Sequence, residues 1–199
     1  MLREIRQGIL FSLVTMALLG GAYPLFLRGL AAVAFRDQAE GSLVRRADGT
    51  VVGSRLIAQA FKRPEYFQPR PSGVDYNAAS TGGTNYGPSN PDHLKAVRER
   101  IEAIEARDGV EAGQVPSEMV TASGAGLDPD IPPAAAALQA ARVAAARRAP
   151  IDRVRALIEQ GTEPPFLGFI GRERVNVLAL NLALDAAFGP PAPAEKETP

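Results

Sequence analysis

The stretch whose residue types come closest to a reaction or phosphate site is Ser123-Gly124-Ala125-Gly126, continued by Leu127-Asp128-Pro129. A phosphate-cradling loop needs a glycine-rich turn closed by Gly-Lys-Ser/Thr, and a dinucleotide fingerprint needs a third glycine after Gly-x-Gly. Asp128-Pro129 stands where either would continue. The glycines fit better as suppliers of positive φ in a turn whose Asp128 carboxylate accepts nearby amides. A serine-nucleophile triad would have to combine Ser123, Asp128 and His93, the single histidine, and no local pattern orients those three together. There is no cysteine to act as thiolate, disulfide or soft metal ligand. The acids Glu65, Asp75, Asp128 and Asp130 lack the spacing of a calcium loop. The expectation is therefore no catalytic residue, no metal and no bound cofactor.

The element that positions everything else is residues 8–27, twenty residues without a charge. That is enough to cross the ~30 Å hydrocarbon core of a bilayer as one helix. A lone helix satisfies its own backbone but offers no polar path for a solute, so the chain alone is no transporter. Ser12 and Thr15 can bond back to their helix, Gly20, Gly21 and Ala22 form a small-residue face, and Pro24 is expected to kink the span. Arg3 and Arg6, the apolar run and Ala32-Val33-Ala34 also describe a secretory signal, but the run exceeds the usual ~7 to 15 residues of a signal core, which favours an uncleaved anchor. Charge counting leaves orientation open, because Arg3 and Arg6 compete with Arg28, Arg36, Arg45 and Arg46.

The 199 residues carry 22 basic and 22 acidic side chains, and no stripe is basic enough for a nucleic-acid footprint. The reading is α+β: an N-terminal segment 1–35 with one transmembrane helix, then one mixed soluble domain, 36–188, with a small sheet and about four helices, and a disordered tail, 189–199. Asp48-Gly49 between Val- and Leu-rich runs predicts a hairpin with a tight type I′ turn. Residues 62–91, rich in Pro, Gly, Asn, Ser and Thr, read as one long irregular segment, with Tyr66, Phe67, Tyr76 and Tyr86 filling a small core. Asn90-Pro91-Asp92 opens a helix whose apolar stripe is Leu94, Val97, Ile101 and Ile104, ended by Asp108-Gly109. Pro132-Pro133 starts an alanine-rich helix suited to close packing. Asp152 is read as capping a further helix over 152–160. Residues 166–185 are ambiguous: Val175-Asn176-Val177 suits a strand and 178–187 a helix, yet leucines at 178, 180, 182 and 184 alternate.

Gly53-Ser54-Arg55-Leu56-Ile57 with Gln59 and Phe61, Tyr66-Phe67-Gln68-Pro69-Arg70-Pro71-Ser72, and Tyr76-Asn77 follow the anchor. Gly82-Gly83-Thr84-Asn85, Gly87-Pro88-Ser89-Asn90-Pro91 and Val120-Thr121-Ala122-Ser123-Gly124-Ala125-Gly126-Leu127-Asp128-Pro129 come next. Arg142-Val143-Ala144, Arg174-Val175-Asn176-Val177 and Asn181-Leu182-Ala183-Leu184-Asp185 complete the order. Together these resemble the C subunits of the bacterial Kdp potassium-transporting P-type ATPases, over nearly the whole chain. Thr81, Thr84, Ala125 and Gly171-Arg172-Glu173-Arg174 depart from that family's usual residues.

The resemblance implies a non-catalytic accessory subunit of a high-affinity, ATP-driven potassium uptake complex, in the inner membrane, single-pass, with its soluble domain extracytoplasmic. Its implied partners are the lipid bilayer and the potassium-conducting and ATP-hydrolysing subunits, and ATP and potassium are handled by the complex. The family is described as raising the ATP affinity of the catalytic subunit, although this chain has no nucleotide motif and an outside domain cannot reach cytoplasmic nucleotide. The alternatives are a secreted or anchored extracytoplasmic binding domain unrelated to transport and, with orientation reversed, an inward domain touching ATP. Because the shared motifs crowd into loops, the candidate partner-docking residues are Tyr66, Phe67, Arg70, Asn77, Gly82, Gly83, Asn85, Asn90, Thr121, Ser123, Gly124, Gly126 and Asp128. Gly82, Gly83, Gly124 and Gly126 have a rival role as suppliers of φ. Arg70, extended between Pro69 and Pro71, is expected to project its guanidinium toward a partner.

Overall fold

The computed structural model describes residues 1–46 and 48–191, so the expected tail falls outside the described residues from 192 onward. By compactness the chain forms two units, one Met1–Val52 and the other beginning at Gly53. In the first, α1 (Leu2–Ala17), a π turn (Leu18–Ala22) and α2 (Tyr23–Ala34) make one run of 33 residues with mean hydropathy 1.9. At 1.5 Å per residue it is about 50 Å long, more than a hydrocarbon core requires. None of its residues is buried within the protein, which suits a helix whose solvent is lipid. Pro24 has no N–H to continue the ladder, and the helix answers just before it, where the Tyr23 N–H bonds to Leu18 O in the π register. A short α3 (Arg36–Ala39) follows, then β1 (Leu43–Arg45) and β2 (Val51–Ser54), which pair as a two-stranded sheet. Gly49 N donates to Arg46 O and Asp48 Oδ1 accepts from Thr50 N, both at 2.9 Å, so a turn forms here. Gly49 (φ 83°) but not Asp48 takes positive φ, and Gly49 closes the turn, which is not the type I′ geometry expected.

In the second unit, α4 (Pro91–Asp108), α5 (Pro133–Arg147), α6 (Ile151–Gln160) and α7 (Val177–Phe188) surround an antiparallel sheet. Its order is β3 (Asp130–Ile131), β5 (Arg174–Asn176), β4 (Thr162–Glu163), with Ile131 and Thr162 both opposite Val175. Val175 is fully buried and shares a core with Phe67, Ile131, Val143, Val154, Leu180 and Leu184. α5 presents Ala135, Ala136, Ala140 and Ala144 inward and packs on α6, the close approach that small side chains permit. The leucine alternation in α7 resolves as helix. Asn176 caps it through Ala179 N at 3.0 Å, and burial of Val177, Leu178, Leu180 and Leu184 on several sides blurs the period.

Two further expectations are corrected. The stripe on α4 deepens along the helix: Leu94 is exposed, Val97 and Ile101 are half-buried and Ile104 is buried, because only the C-terminal turns reach the core. α6 begins one residue earlier, after Pro150, with no side-chain cap; Asp152 lies inside the first turn, where only the helix dipole favours it.

No helix or strand lies between residues 55 and 90. Irregular backbone inside a domain still needs partners for its polar groups. Two fully or almost fully buried amides supply them. Asn181 Oδ1 accepts from Phe67 N at 2.8 Å while its Nδ2 donates to Phe67 O at 2.9 Å. Gln139 Oε1 accepts from Gln68 N at 2.8 Å and its Nε2 donates to Gln68 O at 3.1 Å. Replacing Gln139 by Leu keeps the volume but strands both Gln68 groups, a loss of roughly 2–4 kcal/mol. Thermal unfolding of the purified full chain should show a clearly lowered midpoint for Gln139→Leu and for Asn181→Leu; unchanged midpoints would mean the segment is held by something else.

Candidate functional site

Three arginines reinforce the same segment from the helices. Arg142 on α5 donates to Tyr66 O (3.0 Å), to Pro64 O and to Gln139 Oε1 (2.8 Å), and pairs with Asp108 at 2.6 Å. Asp108 ends α4, its side chain wholly buried, and takes a second arginine, Arg107, at 2.5 Å. An acid at a helix C-terminus opposes the dipole, so it persists here only because two guanidiniums surround it. Burial draws Arg142 down from its ordinary pKa, and the bond to Asp108 opposes that shift. Arg147 donates to Glu65 O (2.7 Å) and Asp185 (2.7 Å) and stacks over the Tyr66 ring at 4.9 Å. The Tyr66 hydroxyl donates to the same Asp185 at 3.1 Å; burial, then the Asp185 charge, push its pKa up. Tyr66 and the fully buried Phe67 therefore anchor the segment to the core.

Beyond Pro69 the segment folds against residues 120–129. Arg70 does not project: its Nη1 pairs with Asp128 at 2.9 Å and its Nη2 donates to Thr121 O at 3.4 Å. An extended backbone sets only the direction of the side chain, and a carboxylate of the same chain lies within its reach. The other Asp128 oxygen accepts from Asp130 N at 3.1 Å, as a turn-forming acid should. Ser123, buried, accepts from Asp128 N at 3.3 Å, and Thr121 Oγ1 donates to Ser117 O at 2.7 Å. Tyr76 donates to Arg70 O at 2.8 Å, and burial raises the pKa of its hydroxyl. Tyr86, by contrast, is 45% exposed and does not fill the core.

Asn77 accepts from Ala79 N at 3.0 Å, Asn85 takes φ 53° and donates to Gly83 O at 3.1 Å, and Asn90 caps α4 through Asp92 N at 2.8 Å. Asn77, Asn85 and Gly124 face outward, and a cleft of about 280 Å³ opens between Asn85, Tyr86, His93, Arg100, Thr121 and Ser123. His93 meets the Tyr86 ring at a centroid distance of 6.3 Å, while Arg100 is committed to Val120 O at 2.8 Å. The Ser123 hydroxyl thus meets the Asp128 backbone N–H, the Asp128 carboxylate is taken by Arg70, and His93 meets Tyr86, so the three do not form a relay. Among the described residues no cluster of three His, Asp or Glu gathers to hold a metal. The structure brings most of the docking candidates together, but it places Tyr66, Phe67, Arg70, Asn90, Ser123 and Asp128 in supporting bonds. Gln139, Asp108 and Arg107 were missed in the sequence. The available signal was a lone amide within an alanine run and an acid at a helix end.

The four loop glycines separate by role. Gly126 takes φ 69°, and a Cβ there would lie 2.8 Å from Val74 Cγ2 and 3.2 Å from Gly82 O. Gly83 needs closeness rather than φ: its Cβ would meet Gly124 O at 2.8 Å. Gly124 has open space, and at Gly82 the nearest atom is at an ordinary 3.8 Å, so φ is not the common reason for these glycines. Gly126→Ala and Gly83→Ala should each destabilise the chain by about 1–3 kcal/mol, whereas Gly124→Ala should stay within about 0.5 kcal/mol. Denaturation midpoints of the three variants check this, and equal effects would refute the packing of the two loops described here.

The family model described as KdpC, the K+-transporting ATPase c chain, matches residues 5–186. The potassium-transporting ATPase KdpC subunit of Beijerinckia indica subsp. indica is 51% identical over 198 residues, covering 97% of this chain and 100% of that protein. The KdpC subunit of Caulobacter vibrioides is 48% identical over 199 residues, covering 99% and 100%, and that of Variovorax paradoxus 53% over 182 residues, covering 90% and 93%. Matches of this extent run through the apolar helix, both loops and the sheet alike, and the chain belongs to the KdpC family of potassium-transporting ATPase subunits.

Proposed function

We propose that this chain is an accessory subunit that performs no chemistry itself and stabilises an ATP-driven, high-affinity potassium uptake complex. A second subunit hydrolyses ATP and a third conducts potassium. The observation that carries this reading is the pair of loops, residues 66–91 and 120–129, fixed to each other by internal bonds while Asn77, Asn85, Tyr86 and Gly124 remain exposed. Loops held by a rigid scaffold are suited to recognition because little ordering entropy remains to be lost on binding. Their outer face docks on the potassium-conducting subunit. The helix Leu2–Ala34 crosses the inner membrane once, leaving the second unit extracytoplasmic. ATP and potassium are bound elsewhere in the complex, and any rise in ATP affinity reaches the catalytic subunit through the assembly.

Orientation is tested by reporter fusions after Pro199: an active phosphatase with an inactive cytoplasmic reporter is expected, and the opposite pattern reverses the topology. Docking is tested at Tyr86, since Arg70 is engaged internally. Exposed tyrosines are frequent interface anchors, and Tyr86→Ala should weaken complex formation about tenfold or more. The melting midpoint of the isolated chain should not move. Undiminished co-purification of the other subunits would place the docking surface elsewhere.

A further inference from the structure

Residues 164–171, Pro-Pro-Phe-Leu-Gly-Phe-Ile-Gly, contain no polar side chain and are bracketed by Glu163 and Arg172. They form a tight hairpin tip: Phe166 N donates to Ile170 O and Ile170 N to Phe166 O, both at 2.9 Å. Leu167 and Gly168 at its apex take φ 53° and 81°. A leucine is rarely left-handed, and here the conformation carries the side chain outward instead of into the core. Phe166, Leu167, Phe169 and Ile170 are 70%, 70%, 77% and 50% exposed, a convex apolar knob on a domain whose other large side chains are mostly packed.

We propose that this hairpin tip seats in the bilayer, at the boundary between headgroups and acyl chains. Lipid suits it better than a polar protein surface because every side chain from Pro164 to Ile170 is apolar and most of the tip's N–H groups are bonded within it. Pro164 and Pro165 have no N–H, and the N–H groups of Phe166, Gly168, Phe169 and Ile170 are all bonded within the hairpin. The Leu167 N–H and the carbonyls of Leu167, Gly168 and Phe169 have no such bond and call for the hydrated headgroup boundary, since hydrocarbon tolerates only satisfied backbone. The Arg172 side chain, 89% exposed at the foot of the tip and 3.8 Å from the Glu118 carboxylate, can hold its guanidinium at headgroup level while its stem follows the apolar side chains. With Leu167, Gly168 and Phe169 beyond the Phe166–Ile170 bridge, one to two residues deep at about 3.3 Å each, the tip penetrates no deeper than the interface. This rests on the reading that Leu2–Ala34 spans the membrane, since the tether supplies the bilayer at high effective concentration and lets a small apolar knob suffice.

The chain has no tryptophan, so Phe169→Trp is a unique reporter. The full chain carrying it is reconstituted into vesicles of mixed zwitterionic and anionic phospholipid, and flotation is checked first. Failure to float refutes the anchor, and the hairpin inference falls with it. In floating vesicles the emission should be blue-shifted and quenched about twofold or more by lipids brominated near the headgroup end of their acyl chains. Phe166→Ser in the same background should return it toward the unquenched, water-like spectrum, with the melting midpoint verifying the fold. Water-like, unquenched emission from floating chains overturns the proposal while leaving the anchor intact. So does a blue shift that is insensitive to lipid and appears only with the other Kdp subunits present, which assigns the knob to a protein socket.

Discussion

Two side-chain amides take the place of strands for the irregular part of this domain. Phe67 and Gln68 run through the interior with no sheet beside them, and each finds both of its backbone partners in one residue: Asn181 from α7 and Gln139 from α5. An amide side chain carries an acceptor oxygen and an N–H donor side by side, which is what pairing both backbone groups of one residue requires. The geometry demands a helix on either side at a fixed height, so the packing of α5 and α7 and the course of the loop are one constraint rather than two. Arg142 extends it by bonding Gln139 and Tyr66 O at once, and Asp108 neutralises the charge this brings inside. Buried ion pairs add little net stability by themselves, but losing one partner leaves an uncompensated charge, which makes the arrangement all-or-none.

Downstream of that clamp the loop has little freedom. Arg70 reaches Asp128, Tyr76 reaches back to Arg70 O, and Gly83 and Gly126 let the two backbones come nearer than side chains would permit. The shared motifs of the loops are therefore mostly internal supports, and the proposed docking would fall to the few side chains that point away from them. Folding accounts for the buried members of each motif, and the docking proposed above rests on the exposed ones.

What was legible in the sequence follows from how local its cause is. Asn90-Pro91 and Gly109 delimit α4 because capping acts within one turn, and the uncharged run announced the apolar helix. The α+β class and the long irregular segment were equally readable, whereas the alternating leucines left the strand-to-helix change open, and it falls at Val177, one residue before the helical reading starts. Arg70 was misread because Asp128, 58 positions away, is invisible to a local argument about prolines. Tyr86 and Leu94 were misplaced because residue type indicates a preference for burial, while exposure depends on where the core ends. Gln139 and Asn181 could have been suspected as lone amides in apolar helices, but their partners lie 71 and 114 positions away.

On the proposed topology, the second unit and the nucleotide lie on opposite sides of the membrane, so contact cannot explain an effect on ATP affinity. Linkage can. A subunit that binds one conformation of its partners better than another shifts the population toward it, and any ligand favouring the same conformation then binds more tightly by the same free energy. Such a device needs rigidity at the docking surface, because a loop that adapts equally well to both conformations has no differential affinity and shifts nothing. The amide clamp, the Arg70–Asp128 bridge and the close glycine contacts supply that rigidity without any catalytic group. A chain that lacks a nucleotide motif is thereby compatible with an influence on nucleotide binding, provided the partners' two states present different faces to the same rigid loops.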